Sequence, residues 1–313
     1  MNNQSVSKLL IKSCGVSVVL ETSDHQVVDY FLNDPLPRNH IPCLKITLER
    51  DEIESDFTIM HNISDEPGNA AIQQLSSKLI KLTTSKVPPG QFVFALLPIF
   101  ERLYEEKGML GLHAASLRLN GWTIFIVGDT KCGKSTNSAK LHFDLGAEFI
   151  SDEKSIVDVR LGVISGGTDI ISLRKDAAMS GHISANIDSQ RLENSKSTSK
   201  LYYTPKQLPA YPVRMKKILY VFPHFSSLGF SAEEMNDFTL SYLMYENITA
   251  NIRACLSLFV SDSLPVPSQD NEKLAGKRAE MIRDLLGNIP HKAIDVTGDL
   301  GHISQQIVEE VSR

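Results

Sequence analysis

The chain has 313 residues, 42% of them hydrophobic, a formal net charge of −5 and four cysteines. That length suits one large or two modest globular domains, and the acidic balance argues against a general nucleic-acid or anionic-membrane role, because both need a basic face. Cys14, Cys43, Cys132 and Cys255 include no CxxC pair, so no zinc site or disulfide framework is expected and a reducing, cytoplasmic setting follows. The first residues lack the apolar core of a signal peptide, and no run approaches the ~18 apolar residues of a membrane span.

Residues 1–106 read as a small α+β domain. Gly15–Glu21 and Leu44–Glu49 alternate apolar and polar side chains, as half-buried strands do, with a loop expected at Asn33–Pro37 and a further strand at Asp56–Met60. Ala70–Leu82 has helical spacing, and Pro88-Pro89-Gly90 precedes a helix over Gln91–Lys107 with an apolar stripe of Phe92, Leu96, Ile99, Phe100 and Leu103.

Residues 107–313 read as a second, larger α/β domain. Leu112–Leu119 and Trp122–Val127 are apolar strands separated by Asn120-Gly121, a strong hairpin signal that makes them antiparallel neighbours. A helix is expected from Ser135 to Asp144 with Gly146 beyond its end, then a strand Ala147–Ser151 that stops at Asp152-Glu153. Short strands are expected over Ser155–Val159, near Val163 and over Asp169–Leu173, with a turn at Gly166-Gly167. Residues 180–205 are polar and read as a long loop. Lys216–Pro223 reads as a central strand, Asp237–Phe259 and Asn271–Leu286 as helices, Lys292–Val296 as a last strand and Ile303–Val311 as a terminal helix.

The strand Trp122–Val127 runs into Gly128-Asp129-Thr130-Lys131-Cys132-Gly133-Lys134-Ser135-Thr136, the spacing of a phosphate-binding loop. Glycines allow backbone N–H groups to turn inward around phosphate oxygens, Lys134 can reach the β- and γ-phosphates, and the Ser135 hydroxyl can hold Mg²⁺. A bound nucleotide with Mg²⁺ is therefore expected. Cys132, inside the loop and near a helix N-terminus, is a candidate reactive thiol. Arg174 and Lys175, and Arg191, Lys196, Lys200 and Lys206 of the polar stretch, could meet phosphate or an acidic acceptor, or serve only as solvated charge.

The segment HAASL, the hairpin, IFIVGDTKCGKST, one helix and FISDE together resemble the C-terminal domain of HPr kinase/phosphorylase and the wider group of HPr-kinase-like kinases. The likeness covers roughly His113–Ile156 and extends more weakly to the C-terminus. It implies a mixed α/β sheet, a P-loop kinase core of the phosphoenolpyruvate-carboxykinase-like type, preceded here by the small N-terminal α+β domain. It implies further that Lys134 and Ser135 bind nucleotide phosphates and metal, that Asp152 is the base toward the acceptor hydroxyl, that Glu153 holds metal and that His113 lies beside Asp152. The sequence departs from that pattern in having Glu at 153 and bulkier residues inside the loop. The implied activity is transfer of the γ-phosphate of ATP to a hydroxyl, on a peptide or protein serine or on a serine-like small molecule; homo-oligomers are common among the enzymes it resembles. The competing expectation is a nucleotide-binding module without transfer activity, acting as a switch or scaffold.

Overall fold

The computed structural model describes residues 6–49, 51, 53–64, 71–85, 87–128, 132–175, 200–254, 258–259 and 264–313. The architecture is mixed α/β, and among the described residues no helix is long and apolar enough to cross a membrane.

The chain opens with a hairpin of β1 (Ser7–Ser13) and β2 (Val16–Thr22), followed by helices α1 (His25–Asn33) and α2 (Pro35–His40). Strands β3 (Lys45–Glu49), β4 (Phe57–Ile63), β5 (Ala71–Ser76) and β6 (Leu79–Thr84) complete a six-stranded sheet in the order β3-β1-β2-β4-β6-β5. Helix α3 (Gly90–Glu106) packs Phe92, Leu96, Ile99, Phe100 and Leu103 into the same buried cluster as Leu9, Val18, Phe57 and Ile80. The apolar stripe expected of this helix is thus its core face.

Two expectations fail here. Ala70–Leu82 is not a helix but the β5–β6 hairpin, because β6 alternates buried and half-buried residues and pairs in parallel with β4. Its β-branched Thr83 and Thr84 suit a pleated ladder, so tertiary pairing overrides a short helical pattern. The loop expected at Asn33–Pro37 shrinks to Asp34, whose carboxylate accepts from Leu36 N at the start of α2, with Pro35 in the first helical turn.

The remainder begins with β7 (Met109–Leu112), β8 (Ala114–Leu119), β9 (Trp122–Val127), α4 (Lys134–Phe143) and β10 (Glu148–Ser151). Then come β11 (Ser155–Asp158), β12 (Val163–Gly167), β13 (Ile171–Arg174), β14 (Lys200–Tyr203), β15 (Val213–Arg214), β16 (Ile218–Phe225) and β17 (Ser231–Glu234). Helix α5 (Asp237–Ile252), the short pair β18 (Leu258–Phe259) and β19 (Leu264–Pro265), α6 (Glu272–Asn288), β20 (His291–Gly298) and α7 (Leu300–Ser312) finish the chain. The larger sheet has the order β10-β8-β9-β16-β20-β17, with β16 central. β9 is antiparallel to β8 and parallel to β16. Asn120 and Gly121 both have positive φ, 50° and 79°, as the tight β8–β9 turn requires.

Helices α4 and α7 cover one face of this sheet, where Leu141, Ile303 and Ile307 meet Ile124 and Ile126. Helices α5 and α6 cover the other, where Met244, Ile248 and Ile282 meet Phe125 and Tyr220. A separate four-stranded sheet runs β15-β12-β11-β7. Gly166 and Gly167 are not a turn but lie inside β12, since the space a side chain would need is filled by Cys14, Cys43, Ser151 and Tyr211. Lys200–Tyr203, expected within a loop, pairs with β13. The rest of that polar stretch up to residue 199, with Arg191 and Lys196, lies outside the described residues, as does Cys255.

Candidate functional site

Two strands change sheets at the same level. β7 pairs with β11 in the smaller sheet, while β8 pairs with β10 in the larger. The chain crosses between sheets once at His113 and once at Asp152–Lys154. Leu112–Leu119, expected as one strand, is therefore broken at His113. Asn247 of α5 bridges the break: its Oδ1 accepts from His113 N at 3.0 Å and its Nδ2 donates to His113 O at 3.2 Å. The second crossing is held by hydroxyls. Thr168 Oγ1 accepts from Glu153 N at 2.9 Å, and Ser151 Oγ donates to Lys154 O at 2.5 Å. Backbone groups that a ladder would have satisfied are thus paired with side chains, and the carboxylates face the seam.

The glycine-rich loop opens onto this seam from β9. Gly128 has φ 148° and Gly133 φ 94°, and Cys132 Sγ occupies the place a Gly128 side chain would need. Asp129, Thr130 and Lys131 lie outside the described residues. Gly133 precedes the first turn of α4, where Asn137 Nδ2 donates to Gly133 O at 3.0 Å and Ser304 Oγ donates to Asn137 Oδ1 at 3.2 Å. Lys134 begins the helix, is buried, and donates from Nζ to Gly128 O at 2.6 Å. Ser135 donates its hydroxyl to Asp152 Oδ2 at 3.0 Å, and Thr136 follows one residue further into α4.

Asp152 is fully buried. Its Oδ2 also accepts from Ser172 N at 2.9 Å and Ser172 Oγ at 3.3 Å, while its Oδ1 has no hydrogen-bond partner among the described residues. Burial pushes this carboxyl up to about 6, against the Ser172 amide, with the Glu153 charge adding to the rise. Glu153 is the opposite case. Burial pushes it up, but His113 Nε2 at 3.1 Å and His40 Nδ1 at 4.0 Å hold it well below the usual carboxylate range. Burial drives His40 down to about 4, so its imidazole is neutral at pH 7. Lys200 Nζ lies 3.5 Å from Ser172 Oγ and adds positive potential at both carboxylates.

Behind the seam, Lys154 is ion-paired with Glu101 of α3, and both are buried. Gly111 faces that pair, and an added Cβ there would collide with the Glu101 carboxylate. In front, a cavity of about 530 Å³ runs from His113, Gly128 and Cys132 to Phe222, Leu243, Asn247, Asn251 and Asp295. It lies at the carboxyl ends of β9 and β16, where ligands gather in open α/β sheets.

The structure therefore brings His113, Gly128, Cys132, Gly133, Lys134, Ser135, Asp152 and Glu153 to one place. Their pairing differs from the expected one, because Ser135 bonds Asp152 rather than accompanying Glu153, and His113 bonds Glu153 rather than Asp152. Arg174 and Lys175 are exposed at the end of β13. His40, Ser172, Thr168 and Asn247 were not anticipated. Each reaches the seam from an element distant in sequence, and none carries a local motif.

Among the described residues no group of three or more His, Cys, Asp or Glu side chains is arranged to hold a metal ion. A magnesium ion that rests on one hydroxyl, one carboxylate, substrate phosphates and water needs no such group. Ser135 with Asp152, whose buried Oδ1 is left unpaired, fits that smaller donor set.

No family model matches the chain, and no curated protein matches it significantly.

Proposed function

We propose that the protein is an ATP-dependent kinase that transfers the γ-phosphate to a hydroxyl acceptor, on residues 107–313 folded as a P-loop core of the phosphoenolpyruvate-carboxykinase-like type. Residues 1–106 are a small α+β unit in this reading. The observation that carries it is the Ser135–Asp152 bond, which joins the loop hydroxyl to a buried carboxylate whose other oxygen has no partner among the described residues. In P-loop enzymes the same pair of groups holds the metal of the nucleotide. The antiparallel neighbour β8 and the parallel neighbour β16 of the loop strand also suit a mixed sheet of this type.

The geometry favours a division of labour in which Asp152 serves the nucleotide side and Glu153 the acceptor side. Mg²⁺, when bound by Ser135 and Asp152, would neutralise charge on the phosphates. Lys134 exchanges its bond to Gly128 O for a phosphate oxygen. Glu153 stays ionised and fixes the His113 imidazole, which takes the acceptor's proton in this reading. An anionic carboxylate orienting an imidazole is a recurrent solution for general-base work. Asp152, the base expected from the resemblance, is the less suited of the two because its Oδ2 is already committed to Ser135 and Ser172.

The test uses ATP labelled at the γ-position and a panel of hydroxyl metabolites and serine peptides. The reading expects label transfer by the native chain, none by Asp152→Asn, and retained nucleotide binding without transfer in His113→Gln. Native protein that binds Mg²⁺–ATP yet labels no acceptor would leave the binding-module alternative standing instead.

A further inference from the structure

We propose that Cys14 and Cys43 form a redox-active dithiol, which small-molecule disulfides oxidise to an intramolecular Cys14–Cys43 disulfide. The site is independent of the kinase reading.

The two cysteines are distant in sequence, and each sits in a turn. Cys14 lies between β1 and β2 with φ 46°, and Cys43 lies between α2 and β3 with φ 47°. Few side-chain-bearing residues adopt left-handed backbone, and those that do are mostly Asn or Asp. Here both turns place a cysteine there, and the two sulfurs converge on the same spot over Gly166. Gly166 lies beneath them, and an added Cβ at that position would collide with both sulfurs. The backbone is tied at the same point, since Cys43 N donates to Gly167 O at 3.0 Å. Both residues remain partly exposed, so a small reagent can reach them.

The two thiols are unequal. The neighbouring Cys14 thiol lowers Cys43 to about 7, with the Gly167 backbone assisting against burial, and the same neighbour together with burial raises Cys14. We assign Cys43, the sulfur whose residue is tied to the Gly167 backbone, as the attacking thiolate and Cys14 as the resolving thiol. The Cys43 thiolate attacks one sulfur of the small disulfide, and a small thiolate leaves and takes a proton from water. Cys14 then gives up its proton to water and attacks the Cys43 sulfur of the mixed disulfide, releasing the second small thiolate. Two protein thiols are oxidised and one small disulfide is reduced to two thiols.

The bond closes at the edge of the candidate site. Cys43 lies three residues beyond His40, the last residue of α2, and Gly167 adjoins Thr168, which holds the Glu153 amide. Oxidation therefore ties the His40-bearing segment to the β1–β2 turn.

The full-length chain is incubated with glutathione disulfide at neutral pH, quenched with acid and mapped as non-reduced peptides. The expected product is a Cys14–Cys43 crosslinked peptide, with Cys14→Ser trapping a stable glutathione adduct on Cys43 and Cys43→Ser reacting at Cys14 at least ~10-fold more slowly. A native chain that stays reduced, that keeps a stable adduct at Cys43, or that links Cys43 to Cys132 or Cys255 overturns the proposal. In parallel, the pH dependence of alkylation of the native chain is followed at each thiol, which needs no variant. Half-maximal reactivity of Cys43 near pH 7 supports the assignment, and Cys14 reacting first at neutral pH contradicts it.

Discussion

Replacing Lys154 by Met removes the cation that faces Glu101 inside the protein. The pair is almost completely enclosed, with side-chain exposures of 4% for Lys154 and 0% for Glu101. Glu101 Oε2 already lacks a hydrogen-bond partner among the described residues, and the other cations that act on this carboxylate, His113 and Arg278, act on it less strongly than Lys154. Stripping one partner from a buried ion pair costs about 3–5 kcal/mol, because a charge is left without compensation. For a chain of this size that is a fall in Tm on the order of 10 °C. The direction with pH also follows. Burial raises the Glu101 carboxyl, with Lys154 opposing the rise, so removing Lys154 raises it further. A folded-state value above the unfolded one stabilises below the unfolded pKa and is lost as pH rises through the folded pKa. Thermal unfolding of Lys154→Met should therefore show a larger deficit at pH 8 than at pH 5. The double variant Glu101→Leu with Lys154→Met should recover most of the loss, since an apolar pair of similar volume is often neutral in such a position. A deficit below about 1 kcal/mol at pH 8, or a double variant that simply sums the two single losses, would refute the reasoning.

Three further outcomes follow from other parts of the structure. His61 is buried between Thr22 Oγ1 and Thr84 Oγ1, both at 2.8 Å, and burial lowers it to about 4. Its neutral form supports the first sheet above the ordinary value of 6.5, and that support is lost as pH falls toward 4. Denaturant titrations should show His61→Gln losing about 3 kcal/mol less than the native chain over that interval; parallel pH profiles would contradict this. Gly166→Ala should lower Tm by several degrees, because the new methyl group meets the Cys14 and Cys43 sulfurs in a packed region, whereas Gly229→Ala, with open space around it, should be close to neutral. Asn247→Leu deprives the His113 peptide of both side-chain hydrogen bonds and should destabilise by about 1–3 kcal/mol, read by urea unfolding; an unchanged midpoint would show that the break at His113 is held by something else.

The β8–β9 hairpin and α4 were legible because their information is local. Alternation, Asn120-Gly121 and the glycine–lysine–serine spacing all act over a few residues, and the hairpin, β9 and α4 follow them. The β5–β6 hairpin was not legible, since its conformation is decided by pairing with β4. Gly166 and Gly167 read as a turn because glycine marks turns in isolation, whereas here the missing side chains make room for cysteines and a tyrosine from elsewhere. The acid pair was found at the right place but with its partners exchanged. Which of two adjacent carboxylates meets Ser135 depends on how the chain crosses between two sheets, and that crossing is fixed by Thr168 and Ser151. His40 could not have been found at all, because only the packing of α2 against the seam brings it to Glu153.

In the proposed kinase, Asp152, joined to Ser135, holds the metal-bound nucleotide while Glu153, joined to His113, serves the acceptor. Calorimetric titration of ATP in the presence and absence of Mg²⁺, into the native chain, Asp152→Asn and Glu153→Gln, tests it most directly. The expected result is Mg²⁺-dependent binding by the native chain, loss of the Mg²⁺ dependence in Asp152→Asn, and near-native Mg²⁺–ATP affinity in Glu153→Gln. Mg²⁺ dependence that survives in Asp152→Asn but disappears in Glu153→Gln would contradict it.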